Sequence, residues 1–156
     1  MMKILFVCLG NICRSPMAEG ILKKKLELKN INAEVESAGF ESFHINEPPD
    51  KLAVKVAKKN GIDISNSTSR LFTTDDFDKF DRIFIMESAN NRDIKYFTRN
   101  EDDLKKVKYL TSVLHGRNEA VPDPYSGDEK GFEKTFRILD EACTKIVEKL
   151  ENNEEI

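Results

Sequence analysis

A short apolar run that leads directly into a tight loop and a helix constrains the fold most strongly. Residues 4–8 (ILFVC) are continuously apolar and rich in strand formers, as is typical of a central parallel strand covered on both faces. The run stops at Gly10, and Ser15-Pro16 is a helix-start signal, with Ser15 as the predicted cap and Pro16 in the first turn. Apolar residues then recur at helical spacing at Met17, Ala18, Ile21, Leu22 and Leu26.

Strands and helices continue to alternate along the chain. Strands are predicted at residues 33–37, 82–86 and, with a weaker pattern, 107–110. Asp50 is predicted to cap a helix that Gly61 ends. A further helix is predicted over residues 88–97.

The C-terminal part is predicted to be a loop followed by a long helix. Residues 111–127 are polar and contain both proline and glycine, which favours a loop. The helix is indicated by apolar residues at i, i+3 and i+4 spacing, and residues 151–156 are predicted to be a frayed end. The apolar stripe consists of Phe132, Phe136, Leu139, Cys143, Ile146, Val147 and Leu150.

The order of these elements predicts an α/β fold with three layers, in which helices flank a four-stranded parallel sheet on both faces. The length of 156 residues fits a single domain over residues 1–156. In open sheets of this kind, ligands bind outside the carboxyl ends of the strands, where the strand order reverses. The loop after the first strand is therefore the first candidate site.

Composition excludes several classes of function. The sequence is 39% hydrophobic and 34% charged, with a net charge of −3, so a broad basic face for nucleic acid is not expected. No apolar stretch approaches the roughly 20 residues of a membrane span. Three cysteines are too few for a disulfide framework and favour a reducing, cytoplasmic location. His44 and His115 lack metal-ligand spacing, so neither metal nor cofactor is predicted.

The loop at residues 8–15, which we call the Cys8 loop, contains a cysteine and an arginine with five residues between them. Backbone N–H groups between a strand end and a helix N-terminus form an anion-binding nest. Gly10 and Asn11 tolerate the left-handed conformations that such a loop needs, and Arg14 can hold two phosphate oxygens at once. The same electrostatic field favours the thiolate of Cys8, which makes it a candidate nucleophile.

A phosphate ester also needs a proton for its leaving oxygen, and Asp123 is the candidate general acid. Pro122 and Pro124 bracket it and stiffen the segment that presents its side chain. Once ionised, Asp123 could serve as the base for water that hydrolyses a phosphocysteine. Within the Cys8 loop, Ser15 is placed to donate a hydrogen bond to the thiolate and Asn11 to brace the backbone.

Residues 7–16, together with the Asp123-Pro124-Tyr125 triplet, resemble the low-molecular-weight protein tyrosine phosphatases, and the likeness covers nearly the whole chain. The resemblance implies the flavodoxin-like phosphotyrosine phosphatase I fold. It implies Cys8 as nucleophile, Arg14 as phosphate clamp and Asp123 as general acid and base. It implies a supporting role for Ser37, and substrate-ring contacts for Phe43 and Tyr125. Phosphate-binding positions in the Cys8 loop would be Leu9, Gly10, Asn11, Ile12, Cys13 and Ser15.

The predicted activity is metal-independent hydrolysis of phosphotyrosine in proteins, and of small aryl phosphates, with inorganic phosphate as product. A tyrosine kinase is a candidate partner, and a monomer or weak dimer is expected. A protein-arginine phosphatase is an alternative, although Thr commonly stands at the Ile12 position there. A non-catalytic phosphotyrosine-binding module is the alternative from another class. Cys13 could pair with Cys8 in a disulfide or be a small core residue. Asn66 stands where many family members have His.

Overall fold

A computed structural model describes residues Met1 to Ile156. Four strands, β1 (Met2–Cys8), β2 (Ala33–Gly39), β3 (Arg82–Ile85) and β4 (Val107–Tyr109), form one parallel sheet in the order β2-β1-β3-β4. The strand order reverses beside β1, so the C-terminal end of β1 lies at the switch point where open sheets bind ligands. In the register of the sheet, Cys8 lies opposite Gly39 of β2.

Seven α-helices connect and cover the strands, and a short 3₁₀ helix spans Ser42–His44. The long helix at the C-terminus packs against the first helix, and both lie on the same face of the sheet. The helices are α1 (Arg14–Leu28), α2 (Lys51–Lys59), α3 (Asp76–Lys79), α4 (Ser88–Lys95), α5 (Glu101–Lys105), α6 (Ser112–His115) and α7 (Glu129–Glu151).

The sheet separates two apolar clusters, because successive side chains of a strand point to opposite faces. Ile4 and Phe6 of β1 face the larger cluster, which contains the inner sides of α1, α2 and α7. Leu5 and Val7 face the smaller cluster, to which α3 and α4 contribute Phe77 and Ile94. The prediction of a three-layer fold with a four-stranded parallel sheet is confirmed. None of the helices combines the length and apolar character that crossing a membrane requires.

Two local predictions at helix ends have opposite outcomes. Asp50 caps α2 as predicted, because its carboxylate accepts a hydrogen bond from the Leu52 amide at 2.9 Å. The predicted cap of α1 is wrong. Cys13 occupies the N-cap position, and Ser15 lies inside the first turn with its hydroxyl bonded elsewhere.

The prediction of a frayed end at residues 151–156 is also wrong. Helix α7 continues through Glu151, and Ile156 is buried, with 3% of its surface exposed, within the larger cluster. Arg82 holds the same segment through its ion pair with Glu155. Ile156 therefore contributes to the core, although residues 151–155 are exposed.

Candidate active site

The Cys8 loop joins the end of β1 to the start of α1, and its backbone is arranged to bind an anion. Its carbonyls turn outward: the Leu9 oxygen accepts from the amides of Phe40 (2.8 Å) and Glu41 (3.1 Å), and the Ile12 oxygen accepts from Asp50 (2.8 Å). The amides of residues 9–13 donate to no acceptor within the protein. These N–H groups, at the positive end of α1, are therefore free to bind oxygens of a phosphate group.

Asn11 fixes the shape of the loop from within. It has a left-handed backbone conformation, with φ of 56°, and it is 2% exposed. Its amide oxygen accepts a hydrogen bond from the Arg70 backbone at 3.0 Å. Its amide nitrogen donates to the hydroxyls of Ser15 at 2.7 Å and Ser37 at 2.9 Å. The bracing role predicted for Asn11 is therefore supported by three bonds that reach different segments.

The Ser15 hydroxyl contacts the candidate nucleophile. Its oxygen lies 3.0 Å from Cys8 Sγ. Because this oxygen already accepts from Asn11, the hydroxyl hydrogen is free to point at the sulfur. A hydrogen bond to a thiolate stabilises its charge. The buried Cys8 side chain thus lies next to a hydroxyl that can donate to its sulfur.

Glu19 completes this network, and sequence reasoning did not identify it. Ser37 donates to Glu19 Oε1 at 2.6 Å, and Lys23 donates to the other carboxylate oxygen at 2.5 Å. Asn66 is exposed and makes no hydrogen bond in this network. Asn66 therefore takes no part in the network, which Glu19 of α1 closes through Ser37. A Glu one helical turn after Ser15 and one turn before Lys23 was the available signal.

Arg14 is buried, with 2% of its surface exposed. Carbonyl and carboxylate oxygens hold its guanidinium in position. Its Nη1 donates to the Val121 carbonyl at 2.9 Å and lies 2.5 Å from Glu87 Oε2. Its buried Nε has no hydrogen-bond partner in the protein. A buried donor without a partner costs free energy, so this N–H is suited to a substrate oxygen. Glu87 was not predicted, although it follows β3 closely at the same sheet edge.

Asp123 lies beside Arg14 at the mouth of the site. Its Oδ2 is 3.6 Å from Arg14 Nη2, its Oδ1 accepts from the Tyr125 amide at 3.0 Å, and its side chain is half exposed. Two anchors position this segment, because the Val121 amide donates to the Met86 carbonyl and the Thr135 hydroxyl donates to the Pro122 carbonyl. The distant sequence segments that carry Cys8, Arg14 and Asp123 therefore meet at one place.

A pocket of about 360 Å³ opens at this place. Phe43 is 81% exposed and Tyr125 is 51% exposed. His44 lies between them, with ring centroids 5.7 Å from Phe43 and 6.1 Å from Tyr125. His44 and Glu41 line the pocket and were not predicted. The predicted residues that line it are Cys8, Leu9, Gly10, Ile12, Cys13, Arg14, Phe43, Asp123 and Tyr125.

The second cysteine of the loop differs from Cys8 in its surroundings. Burial, with the nearby carboxylate of Asp50 as the next cause, raises the pKa of the Cys13 thiol well above its usual range. Cys13 therefore stays protonated at neutral pH and is a poor nucleophile. All three cysteines are free thiols, and Cys143 is buried in the core as predicted. No group of His, Cys, Asp and Glu side chains is placed to hold a metal ion.

Gly39 allows β2 to lie against the Cys8 loop. A Cβ at this position would come within 2.8 Å of the Leu9 carbonyl oxygen and 2.9 Å of Asn11 Cβ. We therefore expect Gly39→Ala to lower the free energy of unfolding by about 1–3 kcal/mol, as overpacking does, and to lower kcat because the loop must shift. Urea denaturation and steady-state kinetics measure both effects.

Gly131→Ala on α7 is the matched control for Gly39→Ala. Its new Cβ would meet only Asp128 Oδ1, at 3.6 Å, which is ordinary contact. Because alanine favours helix, this variant should raise stability by up to about 1 kcal/mol. A Gly39→Ala protein as stable and active as the Gly131→Ala protein would contradict the close packing of β2 on the loop.

Comparison with known proteins places this geometry in a family. Residues 3–155 match the model of the low molecular weight phosphotyrosine protein phosphatase family. The chicken protein of that name is 36% identical over 149 residues, 94% of each chain. A protein tyrosine phosphatase structure from Entamoeba histolytica superposes with a TM-score of 0.90 at 36% identity, covering 98% of this chain and 99% of that one.

A structure of the arginine phosphatase YwlE also superposes, with a TM-score of 0.89 at 27% identity and 97% coverage of both chains. The family model nevertheless matches almost the whole sequence. The chain belongs to the low molecular weight phosphotyrosine protein phosphatase family.

Proposed function

We propose that this protein hydrolyses phosphotyrosine in protein substrates through a phosphocysteine intermediate on Cys8. The observation that carries the proposal is the convergence on one pocket of a buried thiol, a ring of free backbone N–H groups and the unpartnered Nε of Arg14. Asp123 stands at the mouth of the same pocket.

In the first step, the Cys8 thiolate attacks phosphorus and the bond from phosphorus to the ester oxygen breaks. The carboxylic acid of Asp123 gives its proton to the leaving phenolic oxygen. The loop amides and Arg14 stabilise the charge on the three non-bridging oxygens, where electrostatic help lowers the barrier most.

In the second step, a water molecule attacks the phosphorus of phosphocysteine. The Asp123 carboxylate takes a proton from that water, the bond from sulfur to phosphorus breaks, and inorganic phosphate leaves. The Ser15 hydroxyl, 3.0 Å from the sulfur, stabilises the thiolate that is regenerated. The chemistry described needs no metal ion.

The shape of the pocket favours an aryl phosphate. Cys8 is 3% exposed at its base, whereas Phe43 and Tyr125 are exposed at its mouth. A phosphotyrosine side chain is long enough to reach the sulfur while its ring contacts these aromatic residues. The shorter side chain of phosphoserine would bring the substrate backbone against the mouth. The same proposal includes a tyrosine kinase as a candidate partner. It also includes a cytoplasmic location and a monomer or weak dimer as the oligomeric state.

The test compares a phosphotyrosine peptide with a phosphoarginine protein in single-turnover reactions containing a metal chelator. Faster release of phosphate from the phosphotyrosine peptide supports the proposal. Preference for phosphoarginine would favour the activity of the YwlE neighbour and would assign the same mechanism to another substrate. Tight binding of the phosphopeptide without phosphate release would indicate a non-catalytic binding module.

A further inference from the structure

Residues 69–72, which we call the strap, cross the rear of the Cys8 loop and connect it to two other parts of the site. Ser69, which is 4% exposed, exchanges backbone bonds with the segment after His44: its amide donates to Glu47 and its carbonyl accepts from Asn46, both at 2.9 Å. The strap thereby holds the segment that follows Phe43 and His44, which line the pocket.

The strap also pairs with the end of β2 beside the nucleophile. The Gly39 amide donates to the Arg70 carbonyl at 2.9 Å, and the Phe72 amide donates to the Gly39 carbonyl at 2.7 Å. Cys8 is the register partner of Gly39. The strap therefore extends the sheet by one short bridge at the level of the nucleophile.

The amide of Arg70 supplies the bond that orients Asn11. It donates to the Asn11 side-chain oxygen at 3.0 Å, which directs the side-chain nitrogen toward the Ser15 and Ser37 hydroxyls. A rotated Asn11 amide would present its oxygen to these hydroxyls. The Ser15 hydroxyl could then donate to Asn11 instead of to Cys8. The position of the strap backbone therefore affects whether the Ser15 hydroxyl donates to Cys8 Sγ.

The Arg70 side chain anchors the strap. Its Nη1 and Nη2 bind the two carboxylate oxygens of Asp76 at 3.0 and 3.1 Å. Asp76 is 1% exposed and also accepts from the amide of Thr73, the residue after the strap, at 2.9 Å, so one buried carboxylate holds both Arg70 and the exit from the strap. Partial burial disfavours the guanidinium charge, but the hydrogen bonds and charges of Asp76 and Glu36 raise the pKa of Arg70 overall.

We propose that Arg70, clamped by Asp76, is a positioning residue that holds the strap so that Asn11 keeps the Ser15 hydroxyl directed at Cys8. The inference rests on the proposed function for its effect on turnover. Arg70 lines no part of the pocket with Cys8 and Asp123, so it acts through Asn11 and not on the substrate.

The chain offers a matched control in Arg99. This arginine also binds two carboxylates, Asp78 and the buried Asp103, with distances of 2.7–3.0 Å. Its hydrogen bonds reach neither the strap nor the Cys8 loop. Arg99→Ala therefore removes a comparable ion pair and reports what the loss of such a pair does through stability alone.

The experiment measures Arg70→Ala, Arg70→Lys, Asp76→Asn and Arg99→Ala at a temperature where thermal melts show each one folded. We expect Arg70→Ala to lower kcat by about 10-fold or more, as misplacement of reacting groups does, with a smaller change in KM. Arg70→Lys should recover little, because an ammonium lacks the planar pair of donors with which Arg70 binds both oxygens of Asp76. Arg99→Ala should keep the kcat of the wild type.

A second readout does not depend on hydrolysis. Iodoacetate carries a carboxylate that the free loop amides attract toward Cys8, whereas iodoacetamide is neutral. The ratio of their alkylation rates at Cys8 therefore reports how well the loop is organised. We expect this ratio to fall in Arg70→Ala and Asp76→Asn and to stay unchanged in Arg99→Ala.

The two readouts distinguish the two proposals. If the wild type hydrolyses phosphotyrosine but Arg70→Ala matches Arg99→Ala in both kcat and alkylation ratio, the positioning role is wrong and the proposed function stands. If the wild type hydrolyses no phosphate ester while the ratio still falls in Arg70→Ala, the proposed function is wrong and the link from Arg70 to the loop stands. Should Arg70→Ala not fold, Asp76→Asn and Arg70→Lys decide by the same criteria.

Discussion

Replacing Cys8 with serine is expected to remove hydrolysis, with kcat falling by about 10⁴-fold or more, while phosphopeptide binding persists. A serine hydroxyl stays protonated at neutral pH and is a far weaker nucleophile than a thiolate. The loop amides and Arg14, which would bind the phosphate group, are left in place. Steady-state kinetics give the loss of turnover, and calorimetry with a phosphotyrosine peptide gives the binding.

Cys143→Ala is the control for this substitution, because Cys143 is also a buried free cysteine but lies in α7 against Ala18. Burial raises the pKa of the Cys143 thiol well above its usual range, so it offers no competing thiolate. The control should keep the kcat of the wild type at a temperature where it is folded. Turnover that survives Cys8→Ser would contradict the role of Cys8 as nucleophile.

Replacing Asp123 with alanine is expected to lower kcat by about 10²–10⁴-fold for phosphotyrosine, the range that general acid–base catalysis contributes. The loss should shrink for aryl phosphates whose phenols are strong acids, because those leaving groups depart without a proton. Measuring kcat across phenols of increasing acidity checks this expectation. A steeper dependence on leaving-group acidity in Asp123→Ala than in the wild type identifies Asp123 as the acid.

Asp128→Asn is the control for Asp123→Ala, because Asp128 belongs to the same loop but caps α7 through the Gly131 amide at 3.0 Å. Asparagine caps helices nearly as well as aspartate, so turnover should change little. An Asp123→Ala protein that shows the same leaving-group dependence as the wild type would contradict the assignment of the acid.

Local patterns predicted the sheet and the loop because these features depend on residues that are neighbours in sequence. The apolar run at residues 4–8 is buried in β1. Asp50 caps α2, the helix that begins at the next residue. Cys8 and Arg14 come together because one loop carries both. Asp123 was a candidate from its proline-bracketed segment and its assignment leaned on the family resemblance, and the structure places it 3.6 Å from Arg14.

The residues that the sequence did not reveal make contacts across the fold. Glu87 follows β3 and Arg70 precedes α3, both far along the chain from the Cys8 loop. Their partners in that loop are Arg14 and Asn11. The cap prediction for Ser15 was wrong because Cys8 and Asn11 recruit the hydroxyl. The end of the chain was predicted to be frayed, yet Ile156 is buried in the core. Such pairings depend on tertiary packing and leave no local pattern.

Trapping the phosphocysteine tests the central claim most directly. Asp123→Ala should take up the phosphoryl group from an aryl phosphate with a good leaving group and release it slowly, because the base for the second step is missing. After rapid denaturation, peptide mass spectrometry should find the added mass of one phosphoryl group on Cys8. A phosphoryl group on another residue, or phosphate release with Cys8 unmodified at every time point, would contradict covalent catalysis by Cys8.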